Sequence, residues 1–346
     1  MTFADELKSA VTPRAALLVL GVLVLQLLFI ASYVGALHHP KPTDVAFGVV
    51  APEEAAERTK DELARLPGKP LDPRVVEDEA EARRQIMDRE IDGALVVDPR
   101  GTTDTLLVAS GGGKALANAL ETIATKAEGG GESGPKRTVR TVDVAPASPQ
   151  DFNGLSSFYL VVGWCVGGYL CASIMSISAG AKAATPQRAA IRLGSMALLA
   201  IAGGLGGAVI VGPVLDALPG SIMGLWGLGA LLTFAVGAVT LALEELTGIV
   251  GIGLAVLLIV VAGNPSAGGA FPLPMLPPFW EAIGPALPPG AGTWVARSIA
   301  YFEGNAVTGP LLVLSAWAVA GAAVTLLAPK LRRRTGHRRV ARPSGA

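Results

Sequence analysis

Hydrophobic positions in this chain fall into long, nearly uncharged runs, and one long polar block interrupts them. A bilayer crossing needs about 20 mostly apolar residues. Six stretches have that character: 15–37, 155–179, 193–215, 221–243, 247–263 and 308–328. Each is predicted to be a transmembrane helix. The first follows Lys8 and Arg14, as a signal peptide would, but it is longer than a signal core. The Ser-Tyr-Val-Gly-Ala stretch at its end is a poor cleavage site, so a retained anchor is expected.

The polar block, 38–153, reads as a small α/β unit. Short β-type runs are predicted at 44–50, 73–76, 94–97, 105–109 and 138–144. Charged helical stretches lie between them at 53–66, 77–91 and 114–126, and GGGESG reads as a flexible linker before the last strand. The fold class is therefore an α-helical polytopic membrane protein with six transmembrane helices and an α/β domain inserted between helices 1 and 2. The remaining divisions are an N-terminal segment (1–14), helices 2–5 (154–263), a Pro/Gly-rich stretch (264–307), helix 6 (308–328) and a tail (329–346).

Charge fixes the orientation. Only 16% of residues are charged, against about 25% in an average soluble domain. The loop AKAATPQRAAIR carries Lys182, Arg188 and Arg192 with no acid, and the tail carries seven basic residues with no acid. Short basic loops stay in the cytoplasm. Both termini are thus expected to be cytoplasmic in a cell (plasma) membrane protein, with the α/β insert and 264–307 outside. The basic tail follows a helix directly and has no interleaved aromatics. It reads as a topology anchor touching anionic lipid, not a nucleic-acid site.

Candidate chemistry is sparse. SGGGK at 110–114 lacks the spacing and the hydroxyl residue of a phosphate loop, so a tight turn is expected. His38 and His39 read as interfacial, and Cys165 and Cys171 as small apolar helix residues. Glu244 and Glu245 are expected as exposed acids in a cytoplasmic turn. No nucleophile–base pair or metal-spaced set appears, so neither enzymatic activity nor a cofactor is expected. Gly163 and Gly167, Gly203 and Gly207, and Gly220 and Gly224 stand four apart. Close helix contact and simple glycine richness both account for that spacing.

The stretch 263–280, GNPSAGGAFPLPMLPPFW, is apolar yet too rich in proline for a long helix. A re-entrant or interfacial hairpin fits it, with Phe271, Phe279, Trp280 and Trp294 at the membrane interface. Here the chain resembles the phage-infection-protein (YhgE/Pip-like) membrane proteins, relatives of the ABC type-2 exporter permeases. The matching positions are Ser266, Gly268 and Gly269, then Leu276–Phe279, then Pro285 with Leu287-Pro288, then Arg297, in a candidate outer hairpin that also holds Pro272, Pro277, Pro278 and Phe279; Ala267 interrupts the usual Ser-Gly-Gly. The motif covers about forty residues and the layout the whole chain.

The resemblance implies a six-span permease-like subunit, dimeric, that moves a hydrophobic or amphipathic substrate outward. A separate cytoplasmic ATPase would dock on 181–192, with 2–12 as an interfacial helix. The alternative is a non-transporting receptor or secretion-system scaffold working through the insert.

Overall fold

The computed structural model describes residues 12–129 and 137–340. The expected interfacial segment at 2–12 and the linker thus lie almost wholly outside the described residues. Helix α1 spans Pro13–Leu37, with Thr12 as its N-cap and a proline at its start. The His38 ring bonds back to the Val34 carbonyl at the helix end, 2.8 Å away.

The insert follows. Its elements are β1 (Val45–Val50), α2 (Glu53–Ala64), β2 (Leu71–Val75), α3 (Glu79–Met87), β3 (Gly93–Val96), β4 (Thr103–Val108), α4 (Lys114–Gly129) and β5 (Thr138–Asp143). The strands form one sheet in the order β2-β1-β3-β4-β5, in which only β3 and β4 pair antiparallel. Period-two alternation sends Phe47, Leu95 and Leu106 into one core with Leu63, Leu116 and Leu120. It sends Ala94 and Leu107 into a second core with Ala82 and Ile86 of α3. The sheet is thereby covered on both faces.

Among the described residues, five helices are long and apolar enough to cross a membrane: α1, α5 (Ser156–Ala179), α6 (Pro186–Val209, with a π-wound turn to Val214), α7 (Ile222–Thr247) and α11 (Thr308–Val340, of which the candidate span is Thr308–Arg332). The chain is thus mostly helical, with a small mixed sheet, and compatible with a multi-pass membrane protein. Helix α7 is the most buried of the five and α1 the least. The stretch expected to form a fifth span is shorter than the rest. It is α-helical over Val250–Val256 (α8) and π-wound over Leu257–Gly263.

Glycine does bring helices together, but mostly not at the expected pairs. A Cβ on Gly168 would lie 2.7 Å from the Thr233 carbonyl, and one on Gly204 2.6 Å from the Ala230 nitrogen, so α5 and α6 both press on α7 at backbone contact. Gly163, Gly167 and Gly203 meet nothing within 4 Å. Gly207 meets the Trp164 ring and Gly224 meets Ile299, both side chains, while Gly220 meets the Ile299 backbone.

The proline-rich stretch does not stand free. It continues through α9 (Pro278–Ile283) into α10 (Pro288–Tyr301), which is almost wholly buried. Met275 belongs to the insert core and Phe271 packs against it. The amides of Lys41 and Thr43 donate to the Met275 and Pro274 carbonyls, at 3.2 and 2.9 Å. Proline removes its own donor but leaves its carbonyl to accept.

Candidate functional site

Two polar constellations lie at opposite ends of α7. The first is at the junction of the insert with α10. There, Arg89 follows the C-cap of α3 with φ 59°, a left-handed position where glycine is usual. The Glu90 amide closes a six-residue turn onto the Gln85 carbonyl at 2.8 Å. The Arg89 guanidinium lies over the Trp294 ring, 3.3 Å from its centroid, and 4.8 Å from that of Phe302. It donates to the Trp294 carbonyl at 3.0 Å and to Ser298 Oγ at 2.8 Å. Asn305 reinforces the joint by donating to the Met87 carbonyl at 3.2 Å and to Asp88 at 3.1 Å.

Arg297 sits one turn along α10 from Trp294 and is 4% exposed. It donates to the Gly268 and Gly269 carbonyls, each at 2.7 Å, and to that of Gly154 at 3.4 Å. Its Nε has no acceptor among the described residues. These groups face a cavity of about 540 Å³ between insert and hairpin, whose wall is largely apolar and includes Leu116, Pro272, Leu273 and Ala291 as well as Arg89, Asp92 and Arg297. Burial, and then the charge of Arg297, push Arg89 down to about 9. Burial pushes Arg297 down to about 10 against the pull of Asp151 and Tyr301. Both remain charged at neutral pH. Burial raises Asp92 to about 6, with Arg89 and Arg74 opposing it.

The sequence-derived hairpin residues divide here. Gly268 and Gly269 supply the carbonyls that hold Arg297, and Ser266 is buried and donates to the Ala262 carbonyl at 2.8 Å. Pro272 packs on Gly113, so the SGGGK turn is a joint between insert and hairpin. Pro277 and Pro278 open α9, and Phe279 is exposed, away from the cavity. Trp294, expected at a membrane interface, instead lines the cavity and donates to the Ala306 carbonyl at 2.9 Å. Arg89 escaped sequence reasoning because it reads as one more charge on a charged helix. The available signal was an arginine where a helix end calls for glycine.

The second constellation centres on Glu245, at the other end of α7. Glu244 and Glu245 are not the exposed acids expected from the sequence: they are 0% and 1% exposed. Glu245 accepts from the Ala183 amide at 2.5 Å and from Arg332 at 2.5 Å, and Arg192 stands 3.9 Å away. Glu244 accepts from Ser176. The turn after α7 is folded back against α8, which is why these acids are covered: a Cβ on Gly251 would lie 2.5 Å from the Glu244 amide.

The three basic loop residues also divide. Lys182 and Arg188 are exposed. Arg192 is buried and is not available for docking. Its guanidinium caps the end of α5, donating to the Ala179, Gly180 and Ala181 carbonyls at 3.2, 2.6 and 3.4 Å. A helix C-terminus leaves such carbonyls unpaired, and Gly180 ends the helix before they can be used. No family model matches the chain, and no curated protein matches it.

Proposed function

We propose that the chain is the membrane-spanning, permease-like subunit of an ABC type-2-like exporter, moving a hydrophobic or amphipathic substrate outward with energy from a separate ATPase. In this reading it crosses the plasma membrane six times, the short 250–263 segment included, and pairs as a homodimer. Both termini are cytoplasmic, and the insert and 264–307 are outside. The resemblance around Ser266–Arg297 supports the class.

The observation that carries the reading is the Glu245 junction. One buried carboxylate gathers the backbone of loop 181–192, the end of α7 and, through Arg332, the end of α11. A push on the exposed Lys182 and Arg188 is thus delivered to two spans. Helix α7 has 26 residues, so it is about 39 Å long. At its far end Gly220 and Gly224 abut Ile299 of α10, the helix that bears Trp294 and Arg297. A rigid rod therefore links the docking loop to the cavity.

The test is a photo-crosslinker placed at Lys182 and at Arg188 in native membranes. The expected product is an adduct with a nucleotide-hydrolysing protein whose ATPase rate changes when the purified chain is added, and Arg188→Glu abolishes both effects. Adducts only with proteins that hydrolyse no nucleotide, together with activity that survives every loop substitution but not deletion within the insert, would establish the receptor or scaffold alternative.

A further inference from the structure

Two guanidiniums, those of Arg89 and Arg297, line the cavity at the insert–hairpin junction. Among the described residues, neither Arg89 nor Arg297 has a carboxylate within 4 Å. Two guanidiniums in a mostly apolar wall, each within the other's field, are costly to hold without a counter-charge. Asp92 acts on Arg89 and Asp151 on Arg297 only from beyond ion-pair distance, so neither carboxylate touches a guanidinium. Arg297 additionally keeps Nε without an acceptor while being nine-tenths buried. A buried donor of this kind normally has a partner.

The backbone adds to the same sign. Three helices begin in the cavity wall: α4 after Gly112 and Gly113, α10 at Pro288 ahead of Gly290 and Ala291, and α11 at Thr308 and Gly309. Each N-terminus presents about half a positive charge, although Pro288, Pro289 and Pro310 contribute no N–H. Elsewhere the wall is Leu116, Ala117, Leu273, Pro274 and Ala267, which offer no hydrogen bonds from their side chains. Ala306, Thr308 and Gly309 are exposed and mark where the cavity opens. Its volume of about 540 Å³ falls within the roughly 300–1,000 Å³ of small-molecule sites.

We propose that this cavity binds an amphipathic anion: a phosphate or carboxylate head taken by Arg89, Arg297 and the α11 N-terminus, with an acyl or similarly apolar body along Leu116, Ala117 and Leu273. The inference rests on the transport reading only for its role, as the substrate class of that exporter; the binding itself stands apart from transport. A simple apolar ligand would leave both guanidiniums unanswered, and a free inorganic anion would leave the apolar wall in contact with water.

The experiment uses the full chain in phosphatidylcholine nanodiscs and radiolabelled dodecyl phosphate, corrected against empty discs. Saturable binding is expected, displaced by laurate but not by dodecyltrimethylammonium, and displaced by inorganic phosphate only at far higher concentration. Arg89→Gln weakens it about tenfold or more, the scale of one charge-assisted hydrogen bond, and Arg89→Lys restores most of it. Arg89 also ties the insert to α10, so its loss disturbs the fold as well. The exposed Thr308 provides the arm free of that problem: Thr308→Asp suits a helix start yet opposes the ligand's charge and weakens binding, while Thr308→Lys strengthens it.

Discs containing phosphatidic acid separate the sources. Loss of dodecyl phosphate binding there identifies a bilayer lipid as the occupant, and unchanged binding identifies a free amphiphile. Binding no greater than to empty discs, equal displacement by the cationic amphiphile or by inorganic phosphate, or indifference to both Thr308 substitutions would overturn the proposal. Failure of ATPase coupling with binding intact would instead sink the transport reading alone.

Discussion

Arg332 and Glu245 fasten the last long helix to the end of the central one. Arg332 Nη2 stands 2.5 Å from Glu245 Oε2, and Nη1 donates to the Glu245 backbone carbonyl at 2.9 Å. The same Nη2 reaches the Ala183 carbonyl at 3.1 Å, so a single guanidinium ties together α7, α11 and the loop between α5 and α6. Glu245 is 1% exposed on its side chain and Arg332 38%. The acid is therefore the member whose partners cannot be replaced by water.

That asymmetry sets the first prediction. Glu245→Ala leaves the Ala183 amide without its acceptor and the Arg332 and Arg192 guanidiniums without their counter-charge, and breaking a buried pair from one side costs about 3–5 kcal/mol. Arg332→Ala strands less, because water reaches the site it vacates, and the expected loss is about 1–2 kcal/mol. Thermal unfolding of the detergent-purified chain, followed by size-exclusion recovery, ranks the two. Equal losses would show that the carboxylate is not the hub.

A second prediction separates structural from surface charge in the loop. Arg192 serves three carbonyls at the end of α5, whereas Lys182 and Arg188 are exposed. Arg192→Met should lower stability by about 1.5–3 kcal/mol, the range for hydrogen bonds to a charged group. Lys182→Glu and Arg188→Glu should each stay within about 0.5 kcal/mol. The same recovery assay reports all three, and a destabilised Arg188→Glu would contradict the assignment.

Asp92 gives a pH signature. Its folded pKa, raised by burial to about 6, lies above the ordinary value of 3.8. Between those values the folded state binds the proton that the unfolded chain has released. Stability is therefore greatest below about pH 4, falls as pH rises toward 6, and is level above that, for a total of about 1–3 kcal/mol. Arg89 and Arg74 are the charges acting on Asp92. Chemical denaturation between pH 4 and 7 should show the decline in the wild type and lose it in Asp92→Asn. Identical profiles would place Asp92 in contact with water.

Much of this fold is legible in one-dimensional pattern. The long apolar runs are helices because a run of that length leaves no polar face. The insert's strands fall within about two residues of the β-type runs expected at 44–50, 73–76, 94–97, 105–109 and 138–144. What pattern does not carry is partnership across sequence. Glu245 meets Ala183 and Arg332, 62 and 87 positions away, so nothing local marks it as buried. Arg89 meets Trp294 across 205 positions. The glycine spacing marks close contact at Gly207, Gly220 and Gly224 but not at Gly163, Gly167 or Gly203, and it misses Gly168 and Gly204, which press on the α7 backbone. A four-residue period defines a face but not the direction it points.

The segment 250–263 decides the topology. It holds 14 residues, about 21 Å if wholly α-helical, against about 30 Å of hydrocarbon. It nonetheless runs from Gly251, packed on Glu244 at one end of α7, to Gly263, packed on Pro289 at the start of α10. π-winding over its second half widens the helix and shortens its rise, so the segment relies on its neighbours for cover at both ends. A crossing there would place the 264–307 stretch opposite the Glu245 junction, on the side of the insert it packs against. In a background with Cys165→Ala and Cys171→Ala, Glu303→Cys, an exposed position beyond the segment, should react with an impermeant maleimide in intact cells. Lys182→Cys should react only after the cells are opened. Labelling of Glu303→Cys only after the cells are opened would mean that the short segment does not cross and that the 264–307 stretch shares a side with the docking loop.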